Sequence, residues 1–470
     1  TRCTSNLVLM SAYPKPLERQ LSWFSSAAGF LNTDRVASAG LRPGLIVALF
    51  YFDRPLKLQA LRDAIRERLL PLPRFSQRVV DDGKELWLVD VEVDLTHHVR
   101  EVEQTAAWSD TQFHEWVASR HHPVHALDVE RPLWQVRLVP RLEDGRCVLV
   151  FLVDHSIGDG VALVAALLAL LDGGATALGA PPPRRLSPPR VGAWARLLEC
   201  VSGVFKGLHD LLLPADPPNP LKQKDHMRPE GDKVVAQSDA VPLELIKRIK
   251  AHFEHATVND VIFALLTMTV RKYLDANHPG AQACSSSSAM RCMFMINLRP
   301  GAEAPTDRMG NHFGWGRFYF PLDYTSPTQL VRTVQRRADL VKVSPQPLVE
   351  RAVQACALPL LSRLGLRKLI RTLMLHAVGK ATMVISNVPG PQQQRTLCGE
   401  TLRSMQYFLF SPVGAYVGVC SYAGSVAAGA SLERALEPEP AKLMMHWKPS
   451  AYELLAACER ERAGAGGRVS

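Results

Sequence analysis

Apolar positions along the chain follow two periods in alternation. Unbroken runs rich in β-branched and aromatic residues predict strands over Leu45 to Phe52, Glu85 to Val93, Gln135 to Val139 and Cys147 to Val153. Between them the period lengthens. Leu58, Leu61, Ile65 and Leu69 share one face of a helix over Leu56 to Leu70, and Phe113, Trp116 and Val117 mark another over Asp110 to Ser119. Val161 to Leu171 is apolar all round, which predicts a buried helix. The second half repeats the alternation. Helices are expected where Leu243, Ile246, Ile249 and Phe253 line one face and over Val261 to Leu274, the latter opened by Thr257-Val258-Asn259-Asp260. Strands are expected at Cys292 to Leu298, Arg317 to Leu322, Thr382 to Asn387 and Gln406 to Phe410, then a hairpin of Tyr416 to Ser421 and Ser425 to Ser431 about Ala423-Gly424. The class is mixed α/β.

Between the halves the composition shifts. Pro181-Pro182-Pro183-Arg184-Arg185 and Pro188-Pro189-Arg190 are followed by an amphipathic piece from Trp194 to Leu213 and a second proline cluster, Pro214 to Pro220. The expected organisation is a first half over 1–172, a crossover over 173–230 and a second half over 231–470, with Ser285 to Ser288 a short low-complexity loop. A length of 470 residues, 47% hydrophobic and 21% charged, is globular and suits two such halves. Lys+Arg 55 against Asp+Glu 45 leaves +10, a balance that favours anionic partners. Nucleic acid is disfavoured among these, since the basic residues are not interleaved with aromatics and no binding motif appears.

Nine scattered cysteines include no Cys-x-x-Cys pair, which reads as reduced thiols rather than a zinc or redox site. His121, His122 and His125, with His97-His98 nearby, have a spacing that suits a metal, but Pro123 interrupts the helix that would align them, so exposed loop histidines and no metal are expected. No apolar run approaches the roughly 20 residues of a membrane span. The chain starts at Thr1, so the lack of a leader carries no weight. Leu360 to Val378 reads as one helix with Arg363, Arg367 and Arg371 at four-residue spacing opposite Leu361, Leu366, Leu369, Ile370 and Leu373. Such a helix suits either an anionic lipid interface or an ordinary solvated face.

The sharpest chemical signal is Asp154-His155-Ser156-Ile157-Gly158-Asp159-Gly160, a His-x-x-x-Asp-Gly set between a continuous apolar strand and a buried helix. The spacing alone arises by chance in about one chain of this length in twenty; its place at a strand end, where scaffolds present catalytic groups, adds weight. A neutral imidazole there can take a proton from an attacking hydroxyl, which makes His155 the candidate general base. Asp159 reads as shaping the loop and Gly160 as permitting close backbone approach. The alternative is a strand-to-helix turn with Asp-Gly as turn chemistry alone.

At this point the chain resembles a family. The loop is similar to the His-His-x-x-x-Asp-Gly motif of acyl-CoA-dependent acyltransferases, and its surroundings resemble the bifunctional wax ester synthase/diacylglycerol acyltransferases. The matching segments are Arg74-Phe75-Ser76-Gln77-Arg78, Leu127-Asp128 with Arg131-Pro132-Leu133-Trp134, Thr257 to Val261, Gly310-Asn311, Ser386-Asn387-Val388-Pro389-Gly390-Pro391 and Ser421-Tyr422-Ala423-Gly424, in the family's order from about Leu21 to Glu433. Two positions depart: Asp154 stands where the family has its first histidine, and Gln135 where an acidic residue is usual.

The resemblance implies two chloramphenicol-acetyltransferase-like halves, each a mixed sheet flanked by helices, with His155 in a tunnel between them as general base. It implies O-acylation of a long-chain fatty alcohol or of diacylglycerol with acyl-CoA as co-substrate and no other cofactor. Because such products and at least one substrate are nearly insoluble, a chain without a membrane span is expected to attach peripherally at a lipid surface, the cytoplasmic side of the endoplasmic reticulum or plasma membrane or a lipid droplet, with the oligomeric state left open. Asn259 is the carried-over candidate for polar support of the reacting carbonyl, since a developing oxyanion needs fixed donors; a helix N-cap is its other reading. Two alternatives stand beside this function. One is a catalytically weak protein that binds acyl chains or a lipid surface, suggested by Asp154. The other is a secondary-metabolite acyltransferase of the His-x-x-x-Asp type, suggested by Phe313-Gly314-Trp315-Gly316. A peptide-synthesis condensation domain shares the histidine motif, but no carrier-domain serine motif accompanies it.

Overall fold

The computed structural model of the chain describes residues 19–20, 44–81, 86–174, 194, 198, 202, 214–222, 231–279, 290–298, 309–410 and 413–466. Most of the expected amphipathic piece from Trp194 to Leu213, and the serine loop, lie outside these residues.

Continuous apolar runs become strands covered on both faces. β1 (Leu45–Phe52) is buried at every position and lies antiparallel to β4 (Cys147–Asp154), buried likewise. Beyond β4 come β3 (Trp134–Val139) and the short β2 (Val99–Glu101). On the other side β1 pairs with a strand from the far end of the sequence, β10 (Glu400–Phe410), which in turn holds β9 (Thr396–Leu397). The first sheet thus runs β9-β10-β1-β4-β3-β2. Helices α1 (Leu58–Arg68), α2 (Asp110–Ser119) and α3 (Gly160–Leu170) supply its apolar partners. A small three-stranded sheet of Arg19–Gln20, Gln77–Asp81 and Leu86–Asp90 stands apart.

The second sheet runs β7-β6-β8-β11-β12-β5, where β5 is Lys233–Gln237, β6 Arg291–Asn297, β7 Phe313–Tyr319, β8 Met383–Pro389, β11 Ala415–Tyr422 and β12 Ser425–Glu433; Val241–Pro242 adds a seventh strand along β12. Its core is closed by α4 (Leu243–Ala251), α5 (Val258–Asn277) and α9 (Trp447–Gly466), with α6 (Pro327–Val343) alongside. The two sheets are cross-tied: β10 belongs to the first, yet its Tyr407 hydroxyl donates to the Ser386 carbonyl on β8, 2.8 Å away. Burial pushes this phenol far above its ordinary pKa, so it stays a neutral donor.

Three expectations need correction. The strand expected from Arg317 starts at Phe313, so the glycines of Phe313-Gly314-Trp315-Gly316 sit inside a strand; a Cβ on Gly316 would meet the Phe294 ring at 2.5 Å. The single helix expected from Leu360 to Val378 is two: α7 (Gln346–Arg363) stops at a left-handed turn, with Gly365 at φ 73°, and α8 (Arg367–Gly379) restarts. Arg363 and Arg367 therefore belong to different helices. The histidines after α2 are not all exposed loop residues: His121 is buried, stacked on Phe410 with its ring nitrogens against the carbonyls of Ala118 and Gly231. His98 is buried too, its Nδ1 2.7 Å from the Trp134 carbonyl.

Candidate active site

β4 ends at Asp154, and α3 starts at Gly160. The five residues between are tied down through their backbone. The His155 N–H donates to the Gly44 carbonyl at 2.9 Å, continuing the β1–β4 edge, while Asn311 Nδ2 donates to the His155 carbonyl at 2.8 Å from the second half. Arg74 donates to the Ser156 carbonyl at 3.1 Å, and the Asp154 N–H to the Leu133 carbonyl at 2.9 Å. His155 itself is partly exposed, its ring centroid 6.0 Å from that of Phe313 at the start of β7.

The Asp154 side chain turns back on the loop and accepts from the Ser156 N–H at 2.8 Å, a local carboxylate cap that an imidazole would not supply with the same geometry. Asp159, 5% exposed, is the N-cap of α3: Oδ1 accepts from the Ala162 N–H at 3.1 Å. Its other oxygen accepts from the His312 N–H at 2.9 Å, and its own N–H donates to the Gly310 carbonyl at 3.2 Å. One carboxylate thus starts a helix of the first half and grips the segment leading into β7 of the second.

The glycines leave room for that approach. A Cβ on Gly160 would sit 3.0 Å from Val388 Cγ2 on β8, and one on Gly158 would sit 3.1 Å from the Ala162 Cβ and 3.5 Å from the Gly310 nitrogen. The loop therefore lies where α3, the β8 terminus and Gly310 to Phe313 converge.

Asn259 is placed differently. The N-cap of α5 is Thr257, reciprocally bonded with Asp260 in a capping box, so the cap reading of Asn259 does not hold. It occupies the second helical position, exposed, and its Oδ1 accepts from Asn387 Nδ2 at 2.6 Å. Asn387 precedes Val388, so the contacts described link Asn259 to the loop through the end of β8.

Asn311, Arg74 and Leu133 belong to the family-like segments, but that each bonds the loop is not legible from residue type. The signal was their fixed type at fixed chain order; which backbone group each would hold is a tertiary fact. The same holds for Ser386 to Pro391 and Ser421 to Gly424, which meet where the Gly390 N–H donates to the Ser421 carbonyl and the Ala423 N–H to the Pro391 carbonyl. Among the described residues no cluster of three or more His, Cys, Asp or Glu is arranged to hold a metal, and no helix is long and apolar enough to cross a membrane.

Residues 42–213 match the wax ester synthase/diacylglycerol acyltransferase catalytic domain, and residues 309–454 the WS/DGAT C-terminal domain. Wax ester synthase/diacylglycerol acyltransferase 11 of Arabidopsis thaliana is 25% identical over 433 residues, 82% of this chain and 85% of that one. The wax ester synthase/diacylglycerol acyltransferase of Marinobacter aquaeolei shares the fold at a TM-score of 0.59 and 20% identity, over 94% of this chain and all of that one. The starter condensation domain of rhizomide synthetase, solved with C8-CoA, shares it at a TM-score of 0.55 and 10% identity over 94% of each chain.

Proposed function

Since the chain belongs to the wax ester synthase/diacylglycerol acyltransferase family, and so is an acyl-CoA-dependent O-acyltransferase, we propose that His155 is its general base and that the acceptor is a long-chain fatty alcohol or diacylglycerol. The imidazole takes the hydroxyl proton as the oxygen attacks the thioester carbonyl. The tetrahedral species collapses with cleavage of the C–S bond, and the coenzyme A thiolate leaves with the proton that the imidazolium returns. The ester forms without an acyl-enzyme, with acyl-CoA as co-substrate and no further cofactor. The enzyme works attached peripherally to a membrane or lipid-droplet surface, because acceptor and product are nearly insoluble.

The observation that carries this reading is the position of His155: a partly exposed imidazole on a loop whose backbone is held from both halves, by Gly44 on one side and Asn311 on the other. A base held in this way loses little orientation freedom when substrate arrives. Asp159 and Gly160 shape the loop. Asn259, whose amide is paired with Asn387, is the proposed polar support for the reacting carbonyl. Asp154, which replaces the family's first histidine, caps the turn instead by accepting from the Ser156 N–H.

The test is labelled acyl-CoA offered to the purified chain with hexadecanol or with diacylglycerol. Ester is expected from at least one acceptor, and His155→Ala is expected to lower turnover by about 10²- to 10⁴-fold at unchanged melting temperature. Wild-type turnover in the variant would remove His155 from the mechanism. Retention of acyl-CoA with no ester from either acceptor would favour the acyl-chain-binding alternative.

A further inference from the structure

The break between α7 and α8 leaves an apolar corner on the surface. Leu360, Leu364, Leu366 and Leu369 are 59%, 62%, 42% and 42% exposed, while Leu358 and Ile370 on the inner side form a small core with Leu361. Leu360, Leu364, Leu366 and Leu369 lie outside that small core and present a large part of their apolar surface to solvent. Isolated exposed leucines are ordinary; four within ten residues on one corner mark an interaction surface.

Charge specifies the partner. From Arg351 to Gly399 the chain has no Asp or Glu, whereas Arg351, Arg363, Arg367, Lys368 and Arg371 fall within the two helices. Arg363 and Lys368 flank the leucines and are exposed. Exposed leucines beside the exposed cations Arg363 and Lys368, in a stretch of sequence without carboxylates, complement an anionic lipid surface: the leucines reach the acyl region and the cations remain with the headgroups.

The corner is also connected to the loop. The N-terminal end of α7 packs on β7, where Pro347 fills the space that Gly314 leaves open, and Glu350 pairs with Arg317. Arg351 Nη2 lies 3.4 Å from Nδ1 of His312, whose N–H holds Asp159. Leu364, just past the end of α7, lies thirteen positions beyond Arg351, about 20 Å at 1.5 Å per residue.

Resting on the reading of the acceptor as a lipid, we infer that the Leu360–Leu369 corner docks the enzyme on anionic lipid and sets α7 as the strut between that surface and the catalytic loop. Flotation with vesicles of phosphatidylcholine containing 30% phosphatidylserine tests it, using the full chain, the variant Leu360→Asn/Leu364→Asn/Leu366→Asn and the variant Arg363→Gln/Lys368→Gln. Wild type is expected to float with these vesicles, less with pure phosphatidylcholine and less in high salt. The charge variant is expected to partition at least tenfold more weakly, each basic residue near the surface being worth about fivefold, and the leucine variant to lose flotation at all salt concentrations.

Turnover on acceptor dispersed in detergent serves as the control: both variants should retain it while losing turnover on vesicle-borne acceptor. Equal flotation of all three proteins overturns the docking corner and leaves the catalytic reading intact. Absence of ester in detergent from wild type overturns the catalytic reading while flotation still decides the corner. A leucine variant that floats normally but changes from dimer to monomer by light scattering assigns the corner to a second copy of the chain and overturns the lipid assignment.

Discussion

The His155 loop and the Gly365 corner are both breaks between regular elements, and they are stabilised in opposite ways. The loop is held by groups distant in sequence: Gly44, Arg74, Leu133, Gly310, Asn311 and His312 each bond a loop residue. The corner is held by its own neighbours, with Leu364, Gly365 and Leu366 donating to Leu360, Ser362 and Leu361. A break fixed from outside can orient a catalytic group. One that closes on itself leaves leucines such as Leu360 and Leu364 exposed to meet another surface.

The comparison breaks most visibly at Asp159. In Asp159→Asn one amide oxygen can still cap α3, but the amide nitrogen is then set against the His312 N–H, two donors face to face inside a buried site. Loss of a charge-assisted bond and an unpaired buried donor together should cost about 2–4 kcal/mol of stability. Turnover should fall at least tenfold with the loop displaced. Thermal unfolding and single-turnover ester formation check both; a dead variant with wild-type melting would instead give Asp159 a direct part in the chemistry.

Next in size is an acid effect centred on His98 in the first half. His98 donates from Nδ1 to the Trp134 carbonyl and lies tilted against Trp134 at 4.4 Å between centroids, and its buried Nε2 has no hydrogen-bond partner among the described residues. Burial therefore holds its pKa down to about 4, against an ordinary 6.5. The sign follows from linkage: above pH 6.5 the ring is neutral folded and unfolded, so stability is unaffected. As pH falls from 6.5 towards 4 only the unfolded chain takes the proton, and stability drops by about 2–3 kcal/mol. His98→Asn keeps a donor near the Nδ1 position and cannot titrate. Its melting temperature should fall less between pH 7.5 and 5 than that of wild type, and parallel curves would exclude His98 as the cause.

How much of this was legible in the sequence follows from the same contrast. Leu45 to Phe52 and Asp110 to Ser119 were readable to the residue, because burial on both faces or on one stripe writes itself into local periodicity. The loop was readable as a motif and through family resemblance, since its residue types are constrained. The placement of β10 beside β1 was not, because nothing local to Glu400–Phe410 names its partner strand. The Gly365 break was missed because leucines and arginines continue at helical spacing across Leu364-Gly365-Leu366, and a single glycine is a weak stop signal. Asn259 was carried from resemblance, but its pairing with Asn387 joins residues 128 apart in sequence.

The smallest effects come from the two glycines that flank these breaks, and they should separate by mechanism. Gly365 needs its conformation: φ is 73°, yet a Cβ there would meet no atom within 4 Å. Gly160 needs its space: it is not among the residues with positive φ, and its Cβ would press on Val388 Cγ2 at 3.0 Å. Gly365→Ala should therefore cost about 1 kcal/mol through backbone strain, and Gly365→Asn should recover most of it, because asparagine tolerates the left-handed region. No change at a neighbour should help Gly365→Ala. Gly160→Ala should show the reverse dependence. A first-turn alanine gains up to about 1 kcal/mol of helix propensity, which the contact with β8 offsets, and the double variant Gly160→Ala/Val388→Ala should be more stable than the sum of the two single changes. Melting curves of these variants beside wild type form a double-mutant cycle at one glycine and a substitution series at the other. Additivity at Gly160 and Val388 would show that β8 does not limit the approach to the catalytic loop, leaving Asp159 and its backbone partners to fix the distance between the halves.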